Sequence, residues 1–519
     1  MLRGGSTLAW RFSTKLDERR IYNIEFNLIM PSIPNQIESL RAWVRREPLF
    51  ALLQRLADEL GCTLYLTGGL VRDRLLERPT HDVDLAVSGP ALALAEDFAR
   101  SSGGTYVLLK KEDETARVVT PELDFDFAGL RAPTLAEDLR HRDFTINSIG
   151  LSLAEAFGPG PWEPCDPLGG IEDLRRKLVR ICHPAAFRQD PLRMLRAYRL
   201  AGQLRMTLTQ DTREALRQEA PSLERTAPER RRYEWELILG LPAAFSWLVR
   251  MDEDGLLDVL FPEMVALRHT PQNGFHHLHV HGHTLLAFQR LEEILRGEYP
   301  LPDELSGERD RYLAPNHISV RLKWSVLAHD LGKPAAAGRK GDRLTFYGHD
   351  RIGQEVFDGI AERLRLGSRA REQTRRLIGL HLRPFHLLQV QARGALSRRA
   401  LLRFLREGRE DLTGTFLLAL ADSLASRGPD KPSDLEARLL QLWQECRSLE
   451  ATMGRPGEPI PPLITGRDLI RLGYPPGPFF KTILERVREE QWLGNLQDGA
   501  EALEWVRRKW GGPEEKQGA

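Results

Sequence analysis

Apolar positions recur at helical spacing from Ile37 to about Gly61, and the period then changes. Thr63 to Thr67 reads as a short strand entering the pair Gly68-Gly69. His81 to Ser88 reads as a second strand, with Val83, Leu85 and Val87 alternating with polar or small residues. Tyr106 to Leu109, Ala116 to Thr120 and Leu123 to Phe127 carry the same strand signals. Beyond about Pro161 these fade, and amphipathic helices rich in Leu, Arg and Glu run to the end. The pattern predicts an α+β head, a mixed sheet with helices, followed by an all-helical neck, body and tail. Gly454 to Pro462, with four prolines and two glycines, reads as a linker before a small terminal domain.

Composition narrows the class. At 519 residues the chain is too long for one core, so three or four domains are expected. We place a disordered tail at 1–36, the head at 37–160, the neck at 161–255, the body at 256–435 and the terminal domain at 436–519. A net charge of +1 means that any nucleic-acid surface is a local patch. Cys62, Cys165, Cys182 and Cys446 form no C-x-x-C pair, which argues against a zinc knuckle or disulfide framework and suits the reducing cytoplasm. No apolar run approaches the roughly 18 residues of a membrane span, so no membrane partner is expected. The first thirty residues carry arginines but also Asp17, Glu18 and Glu25, unlike a transit peptide, and Met30 competes with Met1 as the start.

The chemistry begins at Thr67-Gly68-Gly69-Leu70-Val71-Arg72-Asp73, followed by His81-Asp82-Val83-Asp84. Two glycines after a strand allow a tight turn whose N–H groups can meet a triphosphate, with a helix N-terminus behind them. Strand alternation puts Asp82 and Asp84 on one face, where a divalent cation such as Mg²⁺ relieves their repulsion. Either half alone is common; the combination with Arg72 and Asp73 is not. It resembles the signature of the DNA polymerase β-type nucleotidyltransferase superfamily and, within it, the class II tRNA nucleotidyltransferase (CCA-adding) and bacterial poly(A) polymerase family. That family has a third catalytic carboxylate on a neighbouring strand. Leu123-Asp124-Phe125-Asp126-Phe127 offers two, and by its distance from Arg131 Asp126 resembles the family position better than Asp124.

Further segments carry the resemblance. Leu139-Arg140-His141-Arg142-Asp143-Phe144-Thr145-Ile146-Asn147 is similar to the family's RRD-F-T-x-N stretch, with His141 in place of the first arginine. Arg142, Asp143 and Asn147 carry over as ribose, phosphate and loop contacts. Asp166-Pro167-Leu168-Gly169-Gly170 and Asp173 look architectural. Gln189-Asp190-Pro191-Leu192-Arg193, with Arg196 beyond, resembles the nucleobase-reading E-D-x-x-R helix, although Gln189 departs from its acid. There a carboxylate would accept from the exocyclic amine of C or A, and a guanidinium would donate to the adjacent ring acceptor. Asp190 before Pro191 is equally a helix N-cap. Nine Lys or Arg residues and one acid between Arg175 and Arg205 suggest a stripe for a tRNA acceptor stem.

A second chemistry lies downstream. His283, the dipeptide His329-Asp330 and Asp422 resemble the H…HD…D pattern of the HD phosphohydrolase superfamily, with Gly332-Lys333 after the dipeptide. Imidazoles with carboxylates suit a divalent metal (Ni²⁺, Co²⁺, Mn²⁺ or Mg²⁺), and His349 and His381 are candidates for a second metal site. His276, His277, His279 and His281 read as core or surface residues. Leu463-Ile464-Thr465-Gly466-Arg467-Asp468-Leu469, with Leu472-Gly473-Tyr474-Pro475, resembles the tRNA-binding tail of CCA enzymes.

The resemblance implies nucleotidyl transfer from CTP and ATP to the tRNA 3′ end, with Mg²⁺ at Asp82 and Asp84. It also implies an HD domain at 256–435 that acts on RNA ends. Poly(A) addition, or addition of only CC or only A, uses the same residues. A different class, an HD phosphohydrolase or RNA-binding scaffold with an inactive head, is opposed by the intact Gly68-Gly69 and Asp82-x-Asp84. Monomer and homodimer both stay open.

Overall fold

The computed structural model describes residues 33–511, except 316, 452–453, 456–457 and 460. The expected tail and the choice between Met1 and Met30 fall on residues 1–32, outside those described. Two compact units are present, divided between Arg176 and Lys177.

The first unit opens with α1 (Ile33–Arg46), four residues ahead of the expected head boundary, and α2 (Pro48–Leu60). A single helix was expected here. Pro48 has no N–H to continue the ladder, so Glu47 steps into an extended conformation and its carboxylate accepts from Leu49 N–H. Gly61, at φ 67°, then ends α2. The head is a mixed sheet of β1 (Thr63–Leu66), β2 (Asp82–Ser88), β3 (Thr105–Lys110), β4 (Thr115–Val119), β5 (Asp124–Gly129) and β6 (Leu151–Ser152), in the order β3-β4-β5-β2-β1-β6. Only β2 and β5 run parallel. The five longer strands match the expected ones closely. The two residues of β6 show no alternation and were not foreseen.

Alternation sorts the sheet into a buried face and a chemical face. Val83, Leu85, Phe125 and Phe127 are buried. Against the last two pack Phe50 of α2 and Phe98 of the helix Ala91–Ser102, with the rings of Phe98 and Phe125 edge-on at 4.9 Å. The intervening residues Asp82, Asp84, Asp124 and Asp126 therefore share the other face.

The second unit is helical apart from a parallel ladder of β7 (Leu178–Val179) with β8 (Thr207–Leu208), a hairpin of β9 (Gly338–Lys340) and β10 (Arg343–Thr345), and a two-residue pairing of Gly454–Arg455 with Glu458–Pro459 inside the expected linker. No break separates the expected neck and body near residue 255. Trp235, Phe261, Trp324 and Phe357 form one edge-to-face cluster across that point. Buried Lys323 also joins them, donating to the Leu239 and Leu241 carbonyls and to Glu292. The terminal segment keeps its own small core of Leu469, Ile483, Val487 and Val506.

Asp166-Pro167-Leu168-Gly169-Gly170 is architectural, as expected. The Asp166 carboxylate accepts from Gly170 and Ile171 N–H at 2.7 and 2.9 Å, and Asp173 accepts from the Thr145 hydroxyl at 2.5 Å. A Cβ on Gly170 would lie 2.1 Å from the Thr145 carbonyl oxygen, whereas Gly160 has open space. Gly170→Ala is therefore expected to lower stability by about 1–3 kcal/mol, read as a lower thermal midpoint, with Gly160→Ala close to neutral.

Candidate active site

The parallel register of β2 and β5 sets Asp84 beside Asp126 and Asp82 beside Asp124. The turn after β1 closes over this group. Gly69 N–H, at the start of the helix Gly68–Leu75, donates to the Asp84 carboxylate at 2.7 Å. That amide holds the aspartate in place. The glycines are needed for clearance. Gly68 sits at φ +66°, and a Cβ there would come within 2.6 Å of the Asp84 Oδ2.

Burial pushes the Asp84 carboxyl above the usual carboxylate range, Asp126 adds repulsion, and the charge of Arg142 with the Gly69 and Leu70 N–H groups opposes the rise. A recessed carboxylate crowded by a second one, with Asp82 exposed at the rim, is a donor set that fits a hard divalent cation. Asp126 carries a bidentate ion pair from Arg117, with both contacts at 2.6 Å. Its carboxylate holds the guanidinium above its already high range, against the effect of burial.

Four predicted residues converge beside this face. Arg72 grips Asp73 through two donors, at 2.9 and 2.7 Å, and donates to the Asn147 side-chain oxygen at 2.6 Å. Asn147 in turn donates to Asp143 at 3.0 Å, and Asp143 also accepts from Phe144 N–H. This chain ties the glycine-turn helix to the loop after the helix Leu135–Arg140. Arg142 leans on Asp138 at 3.4 Å, and Asp138 accepts from Arg131 N–H. Arg117 and Asp138 were missed from the sequence. Alternation along β4 could have put Arg117 on the chemical face, but only the pairing register sets it opposite Asp126.

In the second unit Asp190 does the work of a cap. Its side chain accepts from Leu192 N–H at 3.2 Å, its carbonyl accepts from Arg193 N–H at 3.1 Å, and Arg230 approaches its other oxygen at 3.4 Å. Asp190 and Arg193 thus share one turn at the start of the helix Arg193–Leu204, which also carries Arg196. The basic stripe is less free than its composition suggested. Arg188 pairs with Glu219, and Arg199 pairs with buried Glu234.

The histidines form a closed cluster. His283 lies on the helix Val280–Leu295, His329-Asp330 just after His317–Ala328, His349 at the head of His349–Arg363, His381 just after Ser368–Leu380, and Asp422 on Leu412–Ala425. All six are buried. His283, His329 and Asp422 make one group, and Asp330, His349 and His381 a second. Asp330 connects them, with one oxygen 3.2 Å from His329 Nε2 and the other 3.4 Å from His349 Nε2. His329, His349 and His381 each place Nδ1 on the carbonyl three residues earlier, at 2.7, 2.8 and 2.6 Å. A carbonyl only accepts, so each Nδ1 carries the proton and each Nε2 faces inward, as a lone pair where the ring is neutral; burial would lower His329, but Asp330 beside its Nε2 holds that ring above the usual imidazole range. Two such lone pairs, of His349 and His381, stand 3.3 Å apart. A cation between them relieves that repulsion, so the donor set fits a metal.

Burial would raise both carboxyls of this cluster, but the facing imidazoles, with Lys333 at 2.7 Å from Asp330, hold them well below the usual range. Burial lowers His381 to about 3, which keeps it neutral. His276, read as a bystander, packs edge-on against His283 at 4.5 Å, and its Nδ1 meets the Ser426 hydroxyl at 2.9 Å.

Comparison with known proteins places this geometry. Residues 64–180 match the family described as "Poly A polymerase head domain", and 205–267 match "Probable RNA and SrmB- binding site of polymerase A". An A-adding tRNA nucleotidyltransferase from Deinococcus radiodurans is 35% identical over 451 residues, 85% of this chain and 94% of the relative. A CC-adding tRNA nucleotidyltransferase from Thermus thermophilus is 32% identical over 460 residues, 86% of this chain and 94% of the relative. The chain belongs to the tRNA nucleotidyltransferase family. A solved structure of a CCA-adding enzyme with ATP shares the fold, with a TM-score of 0.60 at 24% identity over 91% of this chain and 98% of the other. The head match covers the glycine turn and every carboxylate of the chemical face, while the six-residue cluster lies beyond both matched regions.

Gly68→Ala tests the clearance argument. The added methyl must displace Asp84, and a misplacement of that size is expected to lower nucleotide addition about a hundredfold. The far-ultraviolet circular dichroism should stay native, because the apolar face of the sheet is untouched.

Proposed function

We propose that the protein adds nucleotides from CTP and ATP to the tRNA 3′ end, building or repairing CCA without a nucleic-acid template. The observation that supports this most is the β2–β5 register, which stacks Asp84 against Asp126 beneath the glycine turn. The terminal 3′-oxygen attacks the α-phosphorus, the new phosphodiester forms and pyrophosphate leaves. Mg²⁺ at Asp82 and Asp84 would neutralise the triphosphate and favour ionisation of the 3′-hydroxyl. Asp126 completes the carboxylate set, and Arg142 contributes positive charge beside Asp84. Asp73, Arg72, Asn147 and Asp143 hold the loop rigid, which positions whatever binds there. Asp190 and Arg193 select C and A by pairing with the amine and the neighbouring ring nitrogen.

The histidine cluster is a second centre in the same reading, a phosphohydrolase acting on phosphate at RNA ends. Imidazole donors favour Ni²⁺, Co²⁺ or Mn²⁺ there over Mg²⁺. A cytoplasmic location agrees with four free thiols. Among the described residues no helix is long and apolar enough to cross a membrane. A solved CCA-adding enzyme of this fold is complexed with tRNA, which supports tRNA as the acceptor.

The named relatives include both A-adding and CC-adding enzymes, so the nucleotide range is read directly. Purified protein is given tRNA lacking CCA, CC-ended tRNA and each labelled NTP in turn. Incorporation of C, C and A in order is expected; a lengthening A tail on any RNA would make it a poly(A) polymerase. Asp190→Ala is expected to admit UTP and GTP, whereas a residue that only caps its helix would cost about 1 kcal/mol with selectivity unchanged.

Replacing His329 and Asp330 together by alanine should remove metal-dependent phosphatase activity and leave Mg²⁺-supported addition intact. Loss of addition in a folded double mutant would mean that the two centres are coupled.

A further inference from the structure

The hairpin β9–β10 leaves the helix Lys333–Ala336 and returns through Phe346 and Tyr347 into His349. Both its ends are fastened to the cluster. Lys333 donates to Asp330 at 2.7 Å and to Gln272 at 2.6 Å, and its ammonium lies 5.6 Å from the Phe346 ring. The Phe346 carbonyl accepts from His349 Nδ1. The hairpin is therefore anchored at both ends beside the six buried ligands.

Its exposed surface has no folding rationale. Arg339, Lys340 and Arg343 are exposed, against a single acid, Asp342, in the turn. Lys340 and Arg343 are direct cross-strand partners, so two cations face each other on a two-stranded ribbon, an arrangement that costs stability. Arg343 is steadied by the Phe275 ring at 5.8 Å, and no described acid pairs with Arg339 or Lys340. Two residues before His349, Tyr347 is 75% exposed, the most exposed large apolar or aromatic side chain among the described residues. A cross-strand pair of cations on a ribbon that runs on into an exposed aromatic residue suits a strand that carries both phosphates and stackable bases. An acidic peptide would satisfy the cations but leave the ring without a partner.

We propose that this hairpin is the docking surface through which a single-stranded RNA 3′ end is held for the histidine cluster. Lys340 and Arg343 take backbone phosphates, and Tyr347 stacks a base near the terminus. This rests on the reading of the cluster as a phosphohydrolase, so the test separates the two.

Full-length protein in Mn²⁺ is assayed on bis(p-nitrophenyl) phosphate and on a short single-stranded RNA with a 3′-phosphate. The variants are Lys340→Glu with Arg343→Glu, and Tyr347→Ala. Hydrolysis of the small diester, which has no chain of backbone phosphates for the hairpin to hold, is expected to stay within about twofold. KM for the RNA is expected to rise about tenfold with kcat retained, and the charge variant should show a salt dependence shallower by about 1.4 in log–log slope, for two lost phosphate contacts. RNA hydrolysed equally well by wild type and variants overturns the proposal. If the wild type hydrolyses neither substrate, the phosphohydrolase reading fails, and photocrosslinking of an RNA ending in 4-thiouridine then decides the hairpin. A crosslink on the peptide holding Tyr347 supports docking. No crosslink, or displacement of the RNA by poly-glutamate but not by unlabelled RNA, overturns it.

Discussion

The head depends on placing like charges side by side on one face of a sheet. Asp84 and Asp126 are lateral neighbours in a parallel pair, with Asp82 and Asp124 one step along. Left alone, four carboxylates so close would drive proton uptake or splay the strands. The protein meets this with fixed partners, each of which shapes the site. Gly69 N–H takes one Asp84 oxygen, Arg117 neutralises Asp126, and Arg142 adds positive charge near Asp84. Asp82 is exposed and, among the described residues, has no ion pair of its own beyond the nearby charge of Arg117. The glycine pair follows from the same constraint, since any side chain at Gly68 would strike the carboxylate that the turn is there to hold.

The histidine cluster solves a related problem with imidazole donors. Backbone carbonyls choose the tautomer of three rings, so their Nε2 atoms converge before any cation arrives. Burial keeps His381 neutral, and the imidazoles together with Lys333 keep Asp330 ionised. One centre is thus carboxylate-rich and partly open, the other imidazole-rich and enclosed. The contrast predicts different metal preferences within a single chain.

Much of this was legible in the sequence where the signal is local. The strands of the head follow from the alternation around Val83, Leu85 and Val87, and the ligands of the cluster from the His329-Asp330 dipeptide and its neighbours in the helical pattern. What was not legible depends on pairing at long range. Nothing near Arg117 announces that it will meet Asp126, because a register between strands decides it. The stripe between Arg175 and Arg205 looked uniformly basic because Glu219 and Glu234 lie further along the chain. The neck and body looked separable because the indole of Trp235 finds Phe261 and Trp324 only in three dimensions. Glu47-Pro48 did carry a local signal for the break between the first two helices, and helical periodicity masked it.

The most direct test is a single-turnover measurement of labelled CTP transfer to tRNA lacking CCA, comparing wild type with Asp84→Asn in excess Mg²⁺. Asparagine keeps the shape and can still accept from Gly69 N–H, but it removes the charge that a cation requires. The account predicts that transfer falls by at least about a thousandfold while the affinity for tRNA is unchanged. Transfer at a wild-type rate in a folded Asp84→Asn protein would contradict it.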